Sequence, residues 1–228
     1  PYDDWANNYD AEVDSGGYRA PARAAEMLPA EVPPASAILD AGCGTGLTGA
    51  ALRTAGFTGP IDGIDLSPPS LALAGKPGVY RSLDVADLQT LPLPIPDNSY
   101  DALICIGVMT YVPDTEAVLR EFARIVRPGG RVLVSQRDDL FDSRGYGRTF
   151  EALSALSSEI NTPAPQPYLP QNPHFGAEIT VISALMTVAR PGPHVLTSRH
   201  RCPPAATRRR AAPPSSAGAL AAPARALT

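Results

Sequence analysis

Behind a short apolar run, residues 38–49 read I-L-D-A-G-C-G-T-G-L-T-G, and this stretch limits the folds open to the chain more than any other. An acid and three alternating glycines separate residues of strand character from a helical pattern that begins near Leu47. Gly42, Gly44 and Gly46 remove side chains where the backbone must bend sharply and a ligand must come close. The helix that follows brings unpaired N–H groups to the same corner. The pattern predicts a strand, a tight turn and a helix N-terminus: a nucleotide-binding corner that grips a polar ligand through main-chain atoms. Asp40, at the strand's end, would repel a pyrophosphate and suits a cationic ligand better.

A second acid, Asp65 in I-D-G-I-D-L-S, closes the next apolar run, where a carboxylate can accept two hydrogen bonds from ribose hydroxyls. Ser67-Pro68 follows and can start a helix, so a cap or turn acid is the other reading of Asp65. Gly44, Gly46 and Gly49 also spell G-x-G-x-x-G, with Asp65 at roughly the distance of a dinucleotide's ribose-binding acid. An NAD-binding oxidoreductase therefore stands as an alternative. Asp40 and the long segment ahead of the first strand count against it.

Apolar runs and helical patterns alternate along the chain as a parallel α/β sheet demands. Strands are expected at 37–40, 61–65, 79–83, 102–106 and 131–135, and helices at 21–28, 47–55, 70–74 and 114–126. In the last of these, Ala117, Leu119, Phe122, Ile125 and Val126 form an apolar face. Residues 150–160 read as a helix, the prolines at 163, 165, 167, 170 and 173 forbid regular structure, and 179–188 reads as a late strand.

The D-x-G-x-G-x-G pattern resembles motif I of the class I S-adenosylmethionine-dependent methyltransferases. The resemblance implies a Rossmann-like α/β fold: a twisted, mainly parallel sheet with helices on both faces and S-adenosyl-L-methionine across the carboxyl ends of its strands. It further implies that Asp40, Gly42, Cys43, Gly44, Thr45 and Gly46 hold the methionine end, that Asp65 binds the ribose and that Leu66 lies against the adenine. Asp84 would bond the adenine amino group, with Asp87 as its rival, and the backbone of Val85 a ring nitrogen. Cys105 and Gly107 would line the pocket, and Tyr111 would stand where relatives carry an aromatic or histidine facing the reacting methyl group. The run L-P-L-P-I-P-D-N-S-Y-D resembles a family segment with Pro94 and Ile95 as a small insertion, which leaves the loop around Asp97 open. Arg127-Pro128-Gly129-Gly130 resembles the family's turn before the fifth strand, a helix stop by its chemistry.

Near the N-terminus, Y-D-D-W-A-N-N-Y-D-A-E-V followed by Y-R-A-P extends the resemblance beyond the common fold. Tyr2, Trp5 and Tyr9 fall on one helical face. A packing stripe is one reading; in related enzymes the helix lids the cofactor, approached by Tyr9 and Tyr18. If the acceptor must lose a proton, Tyr111 and His174 are the candidate bases. The family's closing strands are not recognisable after Phe150, so an idle cofactor-binding regulator is a further alternative. No N/D-P-P-Y or N/S-P-P sequence follows the fourth strand, so amino methylation of a base is not indicated.

Residues 191–228 hold seven prolines, six arginines and no aspartate or glutamate, a composition that predicts a disordered tail behind a methyltransferase domain at 1–190. The domain itself then carries 13 basic and 23 acidic residues, a net charge of −10, which turns the expected acceptor away from nucleic acid and toward a small molecule or a protein. Neither a membrane span nor a secretory signal is read in the chain. It begins at Pro1 and not at a methionine, so a leader ahead of it stays open. Three cysteines without C-x-x-C spacing argue against a disulfide framework and a zinc site. A monomer in the cytoplasm, with the nucleus as second location, completes the expectation.

Overall fold

The computed structural model describes residues 15–28, 32–172 and 179–190. Tyr2, Trp5 and Tyr9, in the first part of the lid helix expected at about 1–28, together with His174 and the tail from 191, lie outside the described residues. In chain order the elements are α1 (Ala20–Met27), β1 (Ile38–Ala41), α2 (Leu47–Thr54), β2 (Ile61–Asp65), α3 (Pro68–Ala74) and β3 (Ser82–Val85). There follow β4 (Tyr100–Cys105), a 3₁₀ turn at Met109–Tyr111, α4 (Thr115–Ile125), β5 (Val126–Arg137), α5 (Asp138–Phe141), α6 (Tyr146–Ala152), β6 (Ser157–Asn161), β7 (Gln166–Pro167) and β8 (Thr180–Val188). The sheet runs β3-β2-β1-β4-β5-β8-β6, with β7 paired to β8. From β3 to β5 every pairing is parallel, and β8 runs antiparallel between β5 and β6.

Strands buried on both faces are apolar without alternation, because successive side chains enter opposite layers of the core. Leu39, Leu103, Cys105, Val132 and Val134 pack on one face with Val118, Leu119, Phe122 and Ile125 of α4. Ile38, Ala102, Ile104 and Leu133 pack on the other with Leu52 of α2 and Ala24 and Ala25 of α1. Helix starts are chemically marked. Asp114 caps α4 by accepting from the Ala117 N–H at 3.0 Å, and Ser67 caps α3 by accepting from Ser70, with Pro68 in the first turn. Among the described residues no helix is long and apolar enough to cross a membrane.

Several expected boundaries move. The third strand is Ser82–Val85 and not 79–83, because Tyr80 turns inward to bond Asp40 and precedes the ladder. The R-P-G-G turn is taken into β5 as a bulge: Val126 pairs with Tyr100 and Arg131 with Ala102, leaving the residues between to loop out through Gly129 at φ +84°. The helix expected at 150–160 is α6 followed by strand β6. Phe150, Leu153 and Leu156 carry helical spacing, yet β8 offers an open edge, and pairing with it draws Ser157–Asn161 into the sheet. The proline segment supplies β7, two residues against the same edge. Thus the closing strands are β8, at the place of the late strand expected at 179–188, and β6, which a helical pattern hid. Around Asp97 the loop is pinned by Arg124, whose Nη1 meets Asp97 Oδ1 at 2.6 Å while its Nη2 meets Glu121.

Candidate cofactor and acceptor site

The loop after β1 folds as its glycines require. Gly42, Gly44 and Gly46 have φ of +76°, +53° and +99°, the left-handed region that side chains with a Cβ avoid. A Cβ on Gly42 would stand 2.4 Å from Val108, whereas one on Gly44 would meet nothing within 4 Å. The first glycine permits a close approach of backbone to the β4 side, and the second leaves open space over the loop. Gly46 is the N-cap of α2 and gives it no side-chain cap.

Asp40 sits beneath this loop, fully buried. The Tyr80 hydroxyl donates to its Oδ2 at 2.7 Å, and its Oδ1 has no hydrogen-bond partner. Burial drives the carboxyl's pKa up to about 7; the Tyr80 bond works against that rise and the Asp65 charge adds to it. Such a group gains from a cation brought to its second oxygen. Cys43 and Cys105 are buried beside it, and burial, reinforced by the two acids, raises both thiols. Neither is set up as a nucleophile. For Cys105 the expected place is corrected: its side chain is fully enclosed in the core, and Gly107, two residues on, reaches the cleft instead.

Asp65 ends β2 with both described roles in view. Its Oδ2 accepts from the Gly44 N–H at 2.8 Å and its Oδ1 from the Ser67 N–H at 2.9 Å, so it ties the glycine loop to the start of α3. Each carboxylate oxygen can accept a second bond. Parallel register sets Asp65 beside Val85 and Ile64 beside Asp84. Asp87, the rival acid, closes a turn through Gln89 and Thr90, while Asp84 is exposed at the end of β3. Three large apolar side chains are exposed in this molecule's described part, Leu66 at 62%, Val85 at 59% and Tyr111 at 55%, and all three follow or end β2, β3 and β4 at their carboxyl ends. Ligands of open α/β sheets bind along that edge.

Beyond Gly107 a cleft opens, lined by Tyr18, Thr110, Tyr111, Ser135, Gln136, Arg137, Tyr168 and Val181. Ser135 Oγ accepts from the Gly107 N–H at 2.9 Å. Gln136 Oε1 accepts from Thr110 at 2.8 Å, while its Nε2 donates to the Tyr146 hydroxyl at 3.1 Å. The Arg137 guanidinium lies 5.6 Å from the Tyr168 ring centre, and Tyr18 meets that ring edge-on at 5.7 Å. Of the expected residues, Tyr18, Gly107 and Tyr111 come together here. Sequence reasoning missed Ser135, Gln136 and Arg137, although they end β5 at the ligand-binding edge, and missed Tyr168, for which the proline-rich sequence gives no signal. It also missed Tyr80, which carries no motif.

Comparison with known proteins places this arrangement. The family described as "Methyltransferase domain" matches residues 39–134. Human methyltransferase-like protein 27 is 39% identical over 139 residues, 60% of this chain and 56% of that protein. Demethylmenaquinone methyltransferase of Bacillus licheniformis is 39% identical over 104 residues, 45% of each chain. The chain thus spans about half the length of these curated relatives. A solved Thermotoga maritima structure, a SAM-dependent methyltransferase and possible histamine N-methyltransferase, superposes with a TM-score of 0.60 at 18% identity, covering 82% of this chain and 97% of that one. The reversed β8 between β5 and β6 departs from the all-parallel dinucleotide sheet. Residues 39–134 thus match a methyltransferase domain, and in sequence and in fold the chain is similar to class I methyltransferases, whose cofactor is S-adenosyl-L-methionine.

Proposed function

We propose that the chain transfers a methyl group from S-adenosyl-L-methionine to a small-molecule or protein acceptor seated in the cleft beside Gly107 and Tyr111. The observation that carries this reading is the continuity of the carboxyl edge, from Asp40 and the glycine loop through Asp65 and Val85 to that cleft. The residues present fit the cofactor. Asp40 Oδ1 is a buried, unpartnered acceptor beneath the loop and suits the methionine ammonium. Asp65 has lone pairs left for ribose hydroxyls, and exposed Leu66 and Val85 offer apolar surface to an adenine beside the Asp84 carboxylate.

Bound S-adenosyl-L-methionine supplies a methyl group activated on a sulfonium. The protein's part is alignment of donor and acceptor in a site shielded from water. Gly107 keeps the end of β4 free of a side chain, with its N–H held by Ser135, and Tyr111 walls the cleft next to it. Tyr111 is also the described candidate for taking a proton from the acceptor. The acidic domain, net −10 over residues 1–190, disfavours nucleic acid as acceptor. The name of the Bacillus relative, a demethylmenaquinone methyltransferase, supports the small-molecule side. A monomer working in the cytoplasm belongs to the same proposal.

Calorimetric titration with S-adenosylhomocysteine followed by a labelled-methyl screen of cell extract fractions tests the reading. Binding together with label transfer to an acceptor supports it. Binding with no transfer to any fraction favours an idle regulator, and preferential binding of NAD would overturn it.

A further inference from the structure

Tyr80 lies in the segment that leads into β3, outside every motif of the sequence. Its hydroxyl donates to Asp40 Oδ2 at 2.7 Å and accepts from the Gly49 N–H at 3.1 Å. One phenol therefore joins the end of β1 to the first turn of α2, bridging the loop formed by Gly42, Gly44 and Gly46. Glycines make the space for it. A Cβ on Gly49 would stand 2.5 Å from the hydroxyl, one on Gly63 3.1 Å from the ring and one on Gly46 3.3 Å from it. The last glycine of G-x-G-x-x-G serves here to admit a tyrosine. A phenol meets both demands of the niche, since its ring fills it and its hydroxyl can donate and accept at once.

The contact matters because of what it holds. The Asp40 carboxyl is faced by Tyr80 from the β3 side, Cys43 from the loop, Asp65 from β2 and Cys105 from β4. The charged neighbour among these is Asp65, of the same sign. Burial and Asp65 favour the protonated acid, with a pKa of about 7, and the Tyr80 hydrogen bond favours the ionised one. Oδ1 meanwhile stays without a partner.

We propose that Tyr80 is a positioning residue of the cofactor loop, fixing Asp40 and the start of α2 relative to each other so that Asp40 Oδ1 receives the cationic end of the cofactor. The inference rests on the reading of this loop as the cofactor loop, and Tyr80 acts through Asp40 without touching the ligand. The test is calorimetric titration of the full chain with S-adenosylhomocysteine between about pH 5.5 and 8.5, for the wild type, Tyr80→Phe and Asp40→Asn. In the wild type, affinity rises with pH and levels off just above 7. In Tyr80→Phe the rise moves about one unit higher, so that affinity near pH 6.5 falls about tenfold and the loss shrinks toward high pH. Asp40→Asn binds more weakly than the wild type at high pH and shows no rise.

A loss equal at every pH would mark Tyr80 as merely structural, and no loss would remove it from the site; either overturns the proposal. Should Tyr80→Phe fail to fold, the carbon-13 shift of the Asp40 carboxyl in the wild type decides. Added S-adenosylhomocysteine must convert it from protonated to ionised near pH 6, and an unchanged protonation state refutes the idea. A wild type that takes up no S-adenosylhomocysteine at any pH instead brings down the cofactor-loop reading, and the proposal falls with it.

Discussion

The two ends of the binding edge are built by different means. Around β1, β2 and β3, the site is backbone bent through glycines, with acids at strand ends, and its parts lie close together in sequence: Asp40 to Gly46, then Asp65, then Asp84 and Val85. Beside β4 and β5, the cleft is polar side chains drawn from far apart, with Tyr18, Thr110, Gln136 and Tyr168 each arriving on a different element or loop. The first end is rigid by geometry, since left-handed backbone and a buried acid admit few substitutes. At the second, exchangeable side chains line a frame held by hydrogen bonds such as Gly107 to Ser135 and Thr110 to Gln136. On the proposed function, a shared cofactor calls for the first kind of construction, and an acceptor that varies between enzymes permits the second.

Substitutions should separate the two ends by size of effect. Gly42→Ala is expected to cost the most, about 4 kcal/mol, from a strained positive φ together with a clash against Val108. Gly44→Ala, strained but with open space around it, should cost only about 1 kcal/mol. Urea unfolding of the pair measures both, and equal losses would refute the account of the loop.

Asp40 ranks next. Folding raises its pKa from 3.8 to about 7, so the folded state favours the neutral acid. The stability that this gives is fully present below about pH 4 and is lost as pH rises through 7. The ligand-free protein should therefore lose up to about 4 kcal/mol across that window, and Asp40→Asn should remove this part of the dependence. Denaturant midpoints read at intervals of pH test it; a wild type and variant with parallel profiles would exclude a buried, titrating Asp40.

Asp65→Ala should weaken S-adenosylhomocysteine by about 1 to 3 kcal/mol, the cost of charged-acceptor hydrogen bonds left unmade. Because the same carboxylate also holds Gly44 and Ser67, a fall in stability should accompany the fall in affinity. Unchanged affinity in calorimetry would take Asp65 out of the cofactor site. The smallest effect belongs to the acceptor end: Tyr111→Phe should alter stability and S-adenosylhomocysteine affinity by less than about 0.5 kcal/mol, because the side chain is more than half exposed. A large loss of cofactor affinity there would erase the division between the two ends.

Legibility in the sequence followed the same division. The D-x-G-x-G-x-G loop could be read because a tight strand-to-helix turn needs glycine at fixed positions, whatever surrounds it. Asp65 could be read as the acid that ends β2 because strand ends follow a short-range rule, and its bonds to Gly44 and Ser67 match the turn reading, while its grip on a ribose belongs to the proposed function. Leu153 and Leu156 misled because helical spacing over a few residues cannot register the open edge of β8, which draws the next residues into a strand. Cys105 misled because its position along β4 is right while its side chain points into the core.

By itself, then, the sequence determined the parallel βα units, the glycine corner and the acids along its edge, since each follows from local backbone chemistry and the two periodicities of buried strand and helix. Only the tertiary structure decided strand β6 and the antiparallel place of β8, the cleft at Gln136, Arg137 and Tyr168, and the placement of Tyr80 against Asp40. Those depend on which distant segments meet. Asp40 and Tyr80 stand forty residues apart, and the hydroxyl finds its carboxylate because β1, β2 and β3 align in register and Gly49 and Gly63 leave room.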